Sequence, residues 1–87
     1  MSENNIVQDK MFEIISYVCY FSMEEMNLDL SVLDDLGINS LMIVEILLRI
    51  ENELGINLES ETNELVGCET LGDMINLVER CIESSKL

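Results

Sequence analysis

The chain has no histidine and no proline, only four glycines, 5% aromatic residues and four basic residues among 87. Without histidine, neither a Ser–His nor a Cys–His nucleophile pair can form. Zinc also loses its imidazole ligands. The three cysteines, Cys19, Cys68 and Cys81, show no Cys-x-x-Cys spacing and are too few for a thiolate-only site. They read as free thiols packed as small hydrophobes. Lys10, Arg49, Arg80 and Lys86 are scattered and no Gly-x-x-x-x-Gly-Lys loop exists, so nothing suggests a phosphate clamp. Lack of proline and scarcity of glycine favour helices over a turn-rich sheet. No apolar run approaches membrane-spanning length, and Ser2-Glu3-Asn4-Asn5 offers neither a basic nor an apolar leader. The expectation is a soluble cytoplasmic protein.

What the chain does have is acid. Eighteen carboxylates against four bases give a net charge of −14. Such a surface repels nucleic acid and anionic membranes and attracts partners with basic faces. Calcium is the obvious rival, but no EF-hand register works. Counted from Asp29, the sixth residue is Asp34 where glycine is needed, and the twelfth is Ser40 where glutamate is needed; counted from Asp34, the third and sixth are Leu36 and Asn39. Only weak, diffuse divalent binding is left. At 87 residues and 48% hydrophobic content, one small domain with a Leu, Ile, Val and Met core is expected. A helical chain this short makes no cleft deep enough to desolvate a substrate between carboxylates. Catalysis is not expected, nor is a resident metal.

Periodicity orders the chain as all-α. Val7, Met11, Ile14, Ile15 and Val18 predict a first helix from about Ile6 to Phe21, capped by Asn4 or Asn5. Met26, Leu28, Leu30 and Val32 alternate like a strand. No second alternating segment exists to pair with them, so residues 22–39 are expected as an extended connection pressed onto the helices. So long a loop points to function. Ile43, Ile46, Leu47, Ile50 and Leu54 form the buried stripe of a second helix, Ser40 to Leu54, stopped by Gly55. Leu41, Met42, Val44 and Leu48 lie off that stripe, which marks the outer side as a contact surface. A short helix from Ser60 to Val66 should follow, capped by Ser60, anchored by Leu65 and Val66 and ended by Gly67. Thr70 and Asp73 make a capping box for a last helix with Leu71, Met74, Ile75, Val78, Cys81 and Ile82 inward. Ser84 to Leu87 should fray.

The whole chain is organised around Asp34-Asp35-Leu36-Gly37-Ile38-Asn39-Ser40-Leu41. Gly37 turns the backbone and brings Ser40 to a helix start, where unpaired N–H groups and the macrodipole favour an anion. Ser40 there is either a plain N-cap or a point of attachment. The run Asp35-Leu36-Gly37-Ile38-Asn39-Ser40-Leu41, with Val44, Glu45 and Leu48 behind it, resembles the prosthetic-group site of the acyl carrier proteins. The resemblance spans roughly residues 6 to 83 and includes the long first loop, the short third helix and the acidity.

It implies a small four-helix bundle, one carrier domain over 1–87, that does no chemistry itself. A Mg²⁺-dependent phosphopantetheinyl transferase would move 4′-phosphopantetheine from coenzyme A onto Ser40. The arm's thiol would hold acyl groups as thioesters for loading and elongating enzymes with basic docking faces. The partner-binding residues carried over are Asp35, Asn39, Leu41, Met42, Val44, Glu45, Leu48 and Glu51. Asn39 stands where the family has aspartate, and Met42 where fatty-acid carriers often have another acid. Those departures turn the expectation toward a freestanding monomeric carrier in polyketide or nonribosomal peptide assembly. The alternatives are a fatty-acid carrier or an unmodified acidic interaction module.

Overall fold

The computed structural model describes residues 3–85, and side chains from 6 to 84. Four α-helices carry the fold: α1 (Glu3–Cys19), α2 (Ser40–Leu54), α3 (Thr62–Val66) and α4 (Leu71–Ser85). Single 3₁₀ turns lie at Met23–Glu25 and Glu59–Glu61. Among the described residues there is no strand, only an isolated antiparallel bridge between Ser31 and Thr70. The all-α bundle expected from the periodicity is what forms.

One apolar core joins the helices, with Met11, Ile15, Ile46, Ile50, Leu58, Leu65, Leu71, Met74 and Val78 fully enclosed. No described polar or charged side chain is buried in it. On α1, Val7, Met11, Ile14 and Ile15 face inward as their spacing requires, and Val18 is half-buried. The helix starts earlier than its first core residue, because neither proline nor glycine interrupts it there. Asn4 and Asn5 are therefore helical and neither is the cap.

The helix also ends before Phe21. Tyr20 adopts a left-handed φ of 55°, and the Phe21 N–H donates to the Ser16 carbonyl at 3.1 Å. That is a Schellman closure built without glycine, which is why the sequence does not announce it. The Ser16 hydroxyl reinforces it by donating to the Phe21 carbonyl.

Residues 22–39 cross the bundle as a series of turns rather than as the extended segment expected. The 3₁₀ turn at Met23–Glu25 is followed by turns at 28–29 and 32–35, with Met26, Val32, Leu36 and Ile38 buried. Leu28, expected inward, is exposed instead. The strand-like alternation has a partner after all, the end of the α3–α4 connection and the first residues of α4. Val32 N–H donates to Glu69 C=O, Leu71 N–H to Leu30 C=O and Gly72 N–H to Leu28 C=O, each at 2.9 Å. The approach is close enough that a Cβ on Gly72 would sit 3.1 Å from the Leu28 carbonyl oxygen. The loop is thus pinned along its length by backbone bonds and by side chains.

On α2, Ile43, Ile46, Leu47 and Ile50 are buried, Leu54 is half-buried, and left-handed Gly55 closes the helix by donating to Glu51 C=O at 2.9 Å. The short helix departs from expectation. Ser60 lies in the preceding 3₁₀ turn and donates to the Glu61 carboxylate rather than capping. Leu65 is buried, but Val66 is exposed, since five helical residues present little more than one inward position. Leu58, overlooked in the sequence, is the fully buried residue that ties this segment down. The α4 capping box forms: Thr70 Oγ1 accepts from Asp73 N–H at 3.2 Å, and Asp73 Oδ2 from Thr70 N–H at 3.3 Å. Leu77 joins the expected stripe, while Cys81 and Ile82 are half-buried. Helix α4 extends through Ser85; Lys86 and Leu87 lie outside the described residues.

Candidate functional site

The segment before α2 is a compact turn closed around Ser31. Asp35 Oδ2 accepts from Ser31 N–H at 2.8 Å, and Ser31 Oγ accepts from Asp34 N–H at 3.0 Å. The N–H groups of Asp35 and Leu36 both donate to Ser31 C=O at 3.0 Å. Gly37 then takes a φ of 64° that other residues adopt only at a cost. Ile38 is buried and its N–H reaches Val32 C=O at 2.9 Å. Leu36 and Ile38 inside, with Gly37 between them, fix where the next two residues emerge.

Those residues are Asn39 and Ser40, and they divide the work of a helix start. Asn39 has extended backbone, and its Oδ1 accepts from Met42 N–H at 2.9 Å. Asn39 is the N-cap. Ser40 is the first helical residue, exposed, and its hydroxyl has no partner among the described residues. The first turn of α2 contains no acid. Its N–H groups and dipole therefore meet no negative side chain on their own helix.

Farther along α2, Leu41, Val44 and Leu48 are 82%, 48% and 57% exposed, a stripe at three- and four-residue spacing that covers nothing in this molecule. Met42 is different: it is half-buried against the core. Glu45 is exposed but not free, because the Arg49 guanidinium lies 3.2 Å from its carboxylate. Arg49 also stacks over the Tyr17 ring of α1, 4.3 Å from its centroid. Glu51 turns toward the following loop, where its carboxylate accepts from Leu58 N–H at 2.7 Å. The eight partner-binding candidates thus separate: Leu41, Val44, Glu45 and Leu48 face outward, Met42 packs, and Asp35, Asn39 and Glu51 hold backbone. Arg49 and Tyr17 were missed. The signal for Arg49 was in the sequence, a cation four residues after Glu45 on one helix.

The chain's own thiols are poorly suited to reaction. Burial raises the Cys19 pKa. Burial, then Asp73 and Glu64, raises that of Cys68 against an opposing pull from Arg80. Burial and then Glu61 raise that of Cys81, again opposed by Arg80. A surface groove of about 780 Å³ between α3 and α4 is lined by such residues as Glu64, Cys68, Asp73 and Arg80, and brings no nucleophile–base pair together. No helix among the described residues is long and apolar enough to cross a membrane.

Comparison with known proteins agrees with the geometry. The family model described as "Phosphopantetheine attachment site" matches residues 9–78. The chain is 32% identical over 79 residues to the acyl carrier protein of Rickettsia bellii, covering 91% of this chain and 95% of that one. It is 34% identical over 70 residues to the acyl carrier protein of Clostridium perfringens, covering 80% and 90%. It is also 33% identical over 73 residues to the meromycolate extension acyl carrier protein of Mycobacterium leprae, covering 84% and 62%. The chain belongs to the acyl carrier proteins, non-catalytic carriers with covalently attached 4′-phosphopantetheine.

Proposed function

We propose that Ser40 is the residue that carries the 4′-phosphopantetheine group. The observation behind this is the division of roles at the start of α2. Asn39 takes the capping bond, which leaves the Ser40 hydroxyl exposed and unpartnered at the positive end of the helix. A phosphodiester suits that position, because the unpaired N–H groups and the macrodipole favour negative charge. When bound, the group supplies a thiol that holds acyl groups as thioesters. The protein's part is to present that point rigidly: Leu36, Ile38, Gly37 and the Asp35–Ser31 bonds hold the loop, and Asn39 holds the helix start.

Leu41, Val44 and Leu48, with Glu45 between them, form the docking face for the transferase and for the enzymes that load and consume the cargo. Asp35, Asn39 and Glu51 serve that face through the backbone they brace. The whole of 1–87 acts as one carrier domain. It works as a monomer, since a net charge of −14 keeps copies apart. Three free cysteines suit a reducing cytoplasm.

The cargo belongs to polyketide or nonribosomal peptide assembly. Asn39 and the acid-free first turn make the helix start less negative than fatty-acid partners would expect. A fatty-acid carrier is the second reading, supported by the similarity to general acyl carrier proteins over most of their length. The test of attachment is to incubate the chain with coenzyme A, Mg²⁺ and a broad-specificity phosphopantetheinyl transferase, then weigh it intact. Gain of one phosphopantetheine is expected. An unchanged mass with several transferases favours an unmodified interaction module. Offering the product malonyl, long-chain acyl and aminoacyl donors with their loading enzymes then separates the cargo classes.

A further inference from the structure

The outward face of α2 has far less free charge than the composition suggests. Glu45 is paired with Arg49 at 3.2 Å, Glu53 with Lys10 at 3.3 Å, and the Glu51 carboxylate is taken by Leu58 N–H. The first turn adds no acid. Every carboxylate of α2 is engaged, while Leu41, Val44 and Leu48 remain open. Arg49 cancels the charge of Glu45 beside that stripe, and Tyr17 keeps it in place from the neighbouring helix; Glu51 keeps its charge but turns it toward the loop.

Resting on the reading that Ser40 carries the arm, we propose that Arg49, held by Tyr17, determines partner specificity by masking Glu45. It selects enzymes whose docking surface is apolar opposite Leu41, Val44 and Leu48 and has no basic cluster opposite Glu45. A basic surface approaching Glu45 meets the guanidinium beside it, and like charges at an interface are costly. An apolar surface meets charges already paired at the rim and gains by covering the three apolar side chains. Arg49 touches neither the arm nor the cargo. It acts as a selector through Glu45.

The experiment uses the whole unmodified chain and two phosphopantetheinyl transferases, one with a Lys/Arg cluster on its carrier-binding surface and one apolar there. The readout is kcat/KM at about 0.05 M and about 0.5 M salt, which spans strong to weak screening. For the wild type with the apolar-faced enzyme, a change under about twofold across that range is expected. Arg49→Ala should raise kcat/KM with the basic-faced enzyme on the order of fivefold at low salt, with the rise lost at high salt. Adding Glu45→Gln to Arg49→Ala should reverse the rise, because no carboxylate is then left to unmask. Arg49→Gln, which keeps a planar group over Tyr17, should act in the same direction if the alanine variant folds poorly by circular dichroism. The proposal is overturned by an unaltered rate in both Arg49 variants, by a rise that persists without Glu45, or by strong salt loss in the wild type with the apolar-faced enzyme. Modification by either enzyme, at any rate, that is lost in Ser40→Ala upholds attachment at Ser40; no modification by either, or modification that survives in Ser40→Ala, fails that reading instead.

Discussion

Asn39 and Ser40 stand side by side, and their substitutions should have opposite signatures. Asn39→Ala removes the bond to Met42 N–H and should cost about 1 kcal/mol in urea unfolding. Ser40→Ala breaks no bond within the chain, so its stability should stay within about 0.5 kcal/mol of wild type. Equal losses in the two variants would show that the cap has been misassigned. Local sequence leaves Ser40 as cap or attachment point, because both residues have the side chain of a good N-cap, and the family resemblance turns the reading to attachment. Only the backbone angles of Asn39 separate them. The thiols give a second prediction at this scale. With raised pKa values, Cys19, Cys68 and Cys81 carry little thiolate at neutral pH. Iodoacetamide should label them slowly, with rates still climbing at pH values where an exposed thiol has levelled off. Labelling as fast as free cysteine would contradict the burial seen here.

The elements were legible where periodicity and capping chemistry agreed. The stripe of α2, its stop at Gly55 and the Thr70–Asp73 box could all be read from spacing. The end of α1 could not, because tyrosine occupies the left-handed position that glycine usually takes. Tyr20 is 96% exposed and has no packing to lose. Tyr20→Gly should therefore stabilise the protein by about 1 kcal/mol, read as a higher urea midpoint with an unchanged slope. A lower midpoint would mean that the ring makes a contact worth more than the strain. The loop over 22–39 hid its partner, since residues 69–72 show no alternation of their own. Its grip on the core is testable at Ile38, where truncation to alanine should cost about 3 kcal/mol and expose Gly37 and Asn39 to faster hydrogen exchange. A loss under about 1 kcal/mol would leave the loop held by backbone bonds alone.

At the scale of the whole molecule, charge and fold oppose each other. A net charge of −14 on 87 residues repels itself, and only two ion pairs form among the described residues, Lys10–Glu53 and Arg49–Glu45. Screening should relieve that strain, so the melting temperature should rise with added salt; a flat response would remove self-repulsion from the balance. Both pairs involve α2, which leaves the acidity elsewhere and the apolar stripe beside Ser40. Composition revealed the total charge, but its local cancellation depends on which helices meet. The most direct measurement is to fragment the transferase-treated protein and locate the added phosphopantetheine by mass. It should sit on Ser40 alone and be absent from a folded Ser40→Ala variant, whereas the group on any other serine would contradict attachment at the start of α2.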